Sequence, residues 1–289
     1  MKRLFNRYSI IFLALTAYLI VYRALWKAGL PDFHAAVVGC ALVYAVARLT
    51  RSELALKNTG EKMTPLVFFT LLGITFLGQA LMVPLTNLME ATCNAAGLSM
   101  YTAPEAVQSR ELFTDSFSML TTGLWPILLG PAVEELLYRS YACRNFGDEG
   151  GMNLAILLSA LAFAAGHGRF YLTVNTFISA LATGYILFRY GLKWCIIFHV
   201  INNLGIVGSN LLLCVIFGDK TGNLLSGVVA VLFALFALAV IYFKRAEVKA
   251  FVADHRAPKG EWARAFLNPG FFVFIGYDLY KCLASLAPM

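Results

Sequence analysis

Apolar runs of about 20 residues recur along the whole chain, and the charged residues gather at their ends. A bilayer core offers no water to backbone polar groups, so a spanning segment must satisfy them internally, as a helix does. The pattern predicts an all-α polytopic transmembrane helix bundle, a single integral membrane domain over 1–289 with a polar intramembrane cavity. Eight spanning helices are expected, at about 8–27, 34–48, 65–86, 116–143, 152–168, 171–189, 192–214 and 224–243, the second and fifth being short. The first run, Ser9 to Trp26, has no small-residue cleavage site after it and reads as a retained anchor. A last apolar stretch, Phe271 to Leu286, carries Asp278 and Lys281 and is flanked by Pro269 and Pro288. It is expected to lie at the interface or dock on the bundle, with a ninth span as the alternative.

Composition excludes a soluble fold. Hydrophobic residues make up 60% and charged residues 13% of the chain, against roughly half and a quarter in soluble domains. A net charge of +7 could suggest nucleic acid, but the basic residues form no single patch, so no nucleic-acid partner is expected. They fall instead where membrane topology wants them. Lys2, Arg3 and Arg7 precede the first span, Arg48 to Lys62 follow the second, Arg139 and Arg144 end the fourth, and Arg189 with Lys193 separate the sixth and seventh. A basic segment from Lys244 to Arg264 follows the eighth, within a region, 244–289, read as a cytoplasmic segment plus the last helix. All lie on one side if both termini are cytoplasmic. Segment 87–115 would then lie outside, with a weak suggestion of an amphipathic lid. The six cysteines show no CxxC spacing and read as small buried hydrophobes. The absence of an internal repeat weighs against a transporter built from two halves.

The chemistry concentrates in Gly130-Pro131-Ala132-Val133-Glu134-Glu135-Leu136-Leu137-Tyr138-Arg139. Ionisable groups at bilayer depth are costly and mark a functional site by default. Glu135 and Arg139, one helical turn apart, can be a structural ion pair; that leaves Glu134. Pro126 and Pro131 free the carbonyls of Thr122 and Ile127, which marks a packed or wet interior. Two later spans add His167 at a helix end, and His199 with Asn203 on one helix face. Each alone reads as a satisfied polar group. Together they are equipment for hydrolysis without a covalent intermediate: a carboxylate and an imidazole to deprotonate water, and two donors for the oxyanion. Two histidines and a glutamate are also a catalytic zinc set, although the chain has no HExxH and asparagine is a poor zinc ligand. No GxSxG occurs to support a serine nucleophile.

In this order, Glu134-Glu135-x-x-x-Arg139, Phe163-x-x-x-His167 and His199-x-x-x-Asn203 resemble the CPBP family over 130–203. That family comprises the type II CAAX prenyl endopeptidases and the bacterial bacteriocin-processing and Abi-type membrane proteins. The resemblance implies an intramembrane endopeptidase in which Glu134 with His167 activates water, His199 with Asn203 forms the oxyanion hole, and Glu135 with Arg139 supports them. Members were long described as metalloproteases; the residues here fit a metal-free mechanism better, so no cofactor is expected, with zinc as the alternative. The expected partners are a peptide or membrane-protein substrate and the lipid bilayer, in what reads as a bacterial cell membrane. Nothing in the sequence assigns an oligomeric state. A non-catalytic immunity or scaffold protein and a proton-coupled transporter are the other readings.

Overall fold

A computed structural model describes residues 6–30, 32–55, 61–100, 125–169 and 172–288. These are almost entirely helical. Helices α1 (Arg7–Lys27), α2 (Asp32–Leu49) and α3 (Pro65–Ala95) come first, followed by a two-residue strand, β1 (Leu98–Ser99). The next helix, α4 (125–150), changes its winding along its length, and Gly151, at φ 77°, ends it. After α5 (152–166) come α6 (Thr173–Tyr190) and α7 (192–217), the latter with a wide turn over Leu204–Gly208. Then follow α8 (Asp219–Phe243), the short α9 (Arg245–Asp254) and α10 (Glu261–Phe266), α11 (Pro269–Ala284), and β2 (Ala287–Pro288), which pairs antiparallel with β1.

The helix ends follow from local chemistry. Asn6, Thr64 and Asn268 accept hydrogen bonds from the backbone N–H groups of Ser9, Val67 and Phe271, each satisfying a donor that a helix start leaves orphaned. Pro65 and Pro269 occupy the first helical positions, where a missing N–H costs nothing. Gly191, at φ 87°, turns the chain between α6 and α7 in a conformation that side chains disfavour.

The eight expected spanning segments are helical where they are described, apart from 167–168 at the end of the fifth; 116–124 and 171 lie outside the described residues, as do 101–115 of the suggested lid. Among the described residues, four helical stretches are long and apolar enough to cross a membrane: Arg7–Lys27, Pro65–Ala95, Ile127–Gly166 and Asp219–Phe243. Gly151 breaks the third, so its 40 residues form two helices rather than one. Helix α6 carries Asn175 and Arg189, and α2 is the shorter apolar helix His34–Leu49. Helix α4 also runs further than expected, past residue 143 to Gly150, because Asn145 and the charged residues beside it are paired rather than solvated.

Helix packing depends on small residues. Gly73 of α3 lies against the Phe233 carbonyl and Ala237 of α8, and Gly270 of α11 lies on the Ser9 backbone of α1. Close backbone approach of this kind is how helices gain packing energy where lipid is as apolar as the side chains. The Gly270 N–H also donates to the Ser9 hydroxyl at 2.9 Å, so the last apolar stretch is a docked helix. At the end of the bundle where α1 begins, Glu53, Arg144, Asp148, Arg7, Glu149, Arg264 and Glu261 form, in that order, a chain of ion pairs. Tyr8 donates to Glu261, at the end of that chain, at 2.8 Å.

Candidate active site

The site begins with the winding of α4. Residues Trp125–Leu129 and Glu135–Cys143 are wound in wide, π-type turns, with Gly130–Glu134 an α-helical turn between them. A Cβ at Gly130 would lie 2.8 Å from the Trp125 carbonyl, so glycine permits the first wide segment. Wide turns redirect carbonyls sideways and recur at functional sites. Here the Tyr138 carbonyl accepts from the Ser159 hydroxyl of α5 at 2.8 Å, and the Ser140 carbonyl accepts from the Ala55 N–H at 3.0 Å. Helix α4 is therefore bonded on two sides along the stretch that carries its charges.

The two glutamates have different surroundings. Glu135 is 0% exposed and accepts from His199 Nδ1 at 2.8 Å, while its other oxygen lies 3.2 Å from Arg139 Nε. Arg139, equally buried, donates from Nε (2.8 Å) and Nη2 to the Thr183 hydroxyl of α6. The Thr183 hydroxyl proton goes to backbone carbonyls of its own helix, which leaves its lone pairs for the guanidinium. Arg139 also lies over the Phe163 ring, 4.7 Å from its centroid, a cation–π arrangement. The expected Glu135–Arg139 pair is thus present, and it is part of a buried chain from Thr183 through Arg139 and Glu135 to His199. The chain is not fully satisfied: Glu135 Oε2 and Arg139 Nη1 find no hydrogen-bond partner among the described residues, and the first is held only by the ion pair.

Glu134 is the accessible carboxylate. A third of its side chain is exposed, and its Oε2 lies 3.7 Å from His199 Nε2. The imidazole of His199 therefore has Glu135 at one nitrogen and Glu134 near the other. His167 closes α5, where its Nδ1 donates to the Phe163 carbonyl at 2.9 Å. A carbonyl can only accept, so the proton is on Nδ1 when the ring is neutral and Nε2 carries the lone pair. Among the described residues no hydrogen bond or ion pair joins His167 to Glu134. The Phe163 ring connects the two histidines instead, meeting His167 at 4.8 Å and His199 at 5.7 Å, both edge-on. Asn203 is half-buried on α7, one turn beyond His199. Its neighbour Asn202 is the more buried of the two and accepts from Thr75 of α3 at 2.6 Å.

Zinc would need three protein ligands converging on one position. Among the described residues no three His, Cys, Asp or Glu side chains do so.

Several participants had no clear sequence signal. Thr183 is one of several threonines on an apolar helix, and nothing in its spacing marks it as the acceptor for Arg139. Tyr138 stacks edge-on to Phe163 at 5.3 Å, and its hydroxyl occupies the place where a Cβ at Gly166 would be. Ser159 was equally inconspicuous. Phe163 stood in a motif beside His167, but its contact with three other site residues depends on helix packing.

A bundle of apolar helices that encloses carboxylates, imidazoles and an arginine defines an integral membrane protein with a candidate hydrolytic centre. Residues 116–205 match the family model for type II CAAX prenyl endopeptidase Rce1-like proteins. This bears out the resemblance to the CPBP family drawn from the motifs, over about a third of the chain, and it points to a membrane protease. Neither a curated protein nor a solved structure matches the chain.

Proposed function

We propose that the chain is an intramembrane endopeptidase that hydrolyses a peptide bond with an activated water, Glu134 acting as the base. The observation that carries this reading is the contrast between the glutamates: Glu135 is wholly buried and tied to Arg139 and His199, whereas a third of the Glu134 side chain is exposed. In the proposed reaction Glu134 removes a proton from water, and the hydroxide forms a bond to the scissile carbonyl carbon. The carbonyl oxygen becomes an oxyanion that accepts from His199 Nε2–H and the Asn203 amide. For that role His199 carries both ring protons, Nδ1–H remaining on Glu135. Nε2 of His167 assists in moving the proton from water to the leaving amine as the C–N bond breaks. A positioned acid or base of this kind contributes roughly 10²–10⁴-fold.

The proposal extends to the surroundings. The eight helices form an eight-span bundle with both termini cytoplasmic, in a bacterial cell membrane, and the substrate is a peptide or membrane protein whose cleavage site reaches the cluster. No metal takes part.

Cleavage of a quenched fluorescent peptide library, with and without a prenylated C-terminal cysteine, tests the activity in purified protein. Glu134→Gln and His167→Ala are expected to lose at least a hundredfold in kcat. Full cleavage by either variant would refute its assigned role, and loss of activity with a chelator, restored by zinc, would refute the metal-free mechanism.

A further inference from the structure

The last four carbonyls of a helix have no partner within it, and at the end of α5 each has a specific one. The Phe163 carbonyl accepts from His167 Nδ1 and the Ala164 carbonyl from the His167 N–H, at 3.3 Å. The Ala165 carbonyl accepts from the Gly168 N–H at 2.9 Å. The Gly166 carbonyl accepts from the ammonium of Lys281, at 2.8 Å, and a longer contact of 3.4 Å joins that ammonium to Ala165.

Lys281 belongs to α11, far along the chain and outside the matched residues 116–205. It is 6% exposed, has Asp278 at 3.5 Å as counter-ion, and holds its ammonium 5.6 Å from the Tyr277 ring centroid. A buried lysine needs such partners to remain charged at tolerable cost. A cation at a helix C-terminus also complements the helix dipole. The backbone around His167 is shaped to admit it. Gly168 has φ +60°, and a Cβ there would lie 2.9 Å from the ammonium nitrogen. Gly166, on the other side of His167, packs against the Tyr138 hydroxyl of α4. His167 is therefore set between two glycines, one pressed by the helix that carries the glutamates and the other by α11.

We propose that Lys281 is a positioning residue for His167: by closing the carbonyls of Ala165 and Gly166 it fixes the end of α5, and with it the imidazole. This rests on the hydrolytic reading above. It makes the C-terminal helix part of the active-site scaffold. Asp278 lies 3.5 Å from the ammonium, so α11 contributes both the cap and its counter-charge.

The test uses the full-length protein in detergent and has two readouts. Lys281→Met keeps an unbranched apolar stem and removes the charge and donors. It is expected to lower kcat at least tenfold with KM within twofold of wild type, and Lys281→Arg is expected to recover kcat to within about threefold. Hydrogen–deuterium exchange in a peptide covering 163–169 is expected to be at least tenfold faster in Lys281→Met, with peptides from α3 and α8 unchanged. If Glu134→Gln is inactive while Lys281→Met keeps its kcat, the positioning role is wrong and the hydrolytic reading stands. If wild type and Glu134→Gln do not differ, the hydrolytic reading fails; unchanged exchange at 163–169 then overturns the positioning role as well, and faster exchange supports it. Should Lys281→Met not fold, Gly168→Ala, which presses on the ammonium without removing it, is expected to lower kcat at least tenfold, and an unchanged kcat would overturn the proposal.

Discussion

Arg139→Met is the most informative stability test, because it removes one charge from a pair that has no access to water. Glu135 and Arg139 are 0% and 1% exposed and their charged atoms are 3.2 Å apart. At an effective dielectric of about 20, unit charges at that separation attract by about 5 kcal/mol. Desolvation of both groups cancels much of this while the pair is intact, but after Arg139→Met the buried carboxylate keeps the penalty with only the His199 hydrogen bond to offset it. Breaking such a pair costs roughly 3–5 kcal/mol. Arg139→Met should therefore lower the melting midpoint by about 10 °C, at ~2–4 °C per kcal/mol for a chain of this general size. Unfolding can be followed by a thiol-reactive dye, since Cys143, Cys195 and Cys282 are buried and free. The double variant Glu135→Gln/Arg139→Met leaves no uncompensated charge, and the amide oxygen of the introduced glutamine can still accept from His199. Its loss should fall short of the sum of the single losses by at least ~1–2 kcal/mol. A midpoint drop below about 2 °C for Arg139→Met, or strict additivity in the double variant, would refute the claim that this pair is a coupled buried unit.

Other substitutions separate the neighbouring contacts. Thr183→Val removes the acceptor of both Arg139 donors at nearly constant shape and should cost ~1–3 kcal/mol in the same melting assay, whereas Thr183→Ser should be close to wild type. Gly166→Ala places a methyl group against the Tyr138 hydroxyl and should destabilise by ~1–3 kcal/mol, with Tyr138→Phe added to it restoring at least half of the loss. Thr75→Val breaks the bond to Asn202 that ties α3 to α7; hydrogen bonds between membrane helices are weak, so a loss of only ~0.6 kcal/mol and no more than ~1.7 is expected by equilibrium unfolding in mixed micelles.

The helices were legible because a bilayer imposes a length and an apolar pattern that a reader can count. Their limits were less so. The break between α4 and α5 falls at Gly151, whose left-handed conformation nothing distinguishes in sequence from the neighbouring Gly150, which is buried against Tyr8 and Leu154. The Glu135–Arg139 pair was readable because both members lie on one helix at i,i+4. The partner of Glu135 on the other side, His199, comes from another helix 64 positions later, and only packing brings it there. The family resemblance implies Glu134 with His167; that His199 Nε2 also lies 3.7 Å from Glu134 follows from packing alone. Lys281 was visible as a charge in an apolar stretch, with Asp278 at i,i+3. Its target, a backbone carbonyl, has no side chain to announce it.

The wide winding of α4 has a consequence for engineering the chain. A run of i→i+5 turns holds more residues per turn than an ordinary helix, so it acts as a phase adjuster between the two ends of the rod. At its lower end Asn145 is clamped by Arg7 and the backbone of Glu53; at its upper end Glu134 faces α7. Deleting a single residue between 140 and 143 would let the segment relax towards 3.6 residues per turn, and the tighter winding takes up most of the missing residue. In an ordinary helix the same deletion would rotate everything beyond it by about 100°. The wide segment is therefore the one place in α4 where a residue can be lost with little change in the direction Glu134 faces.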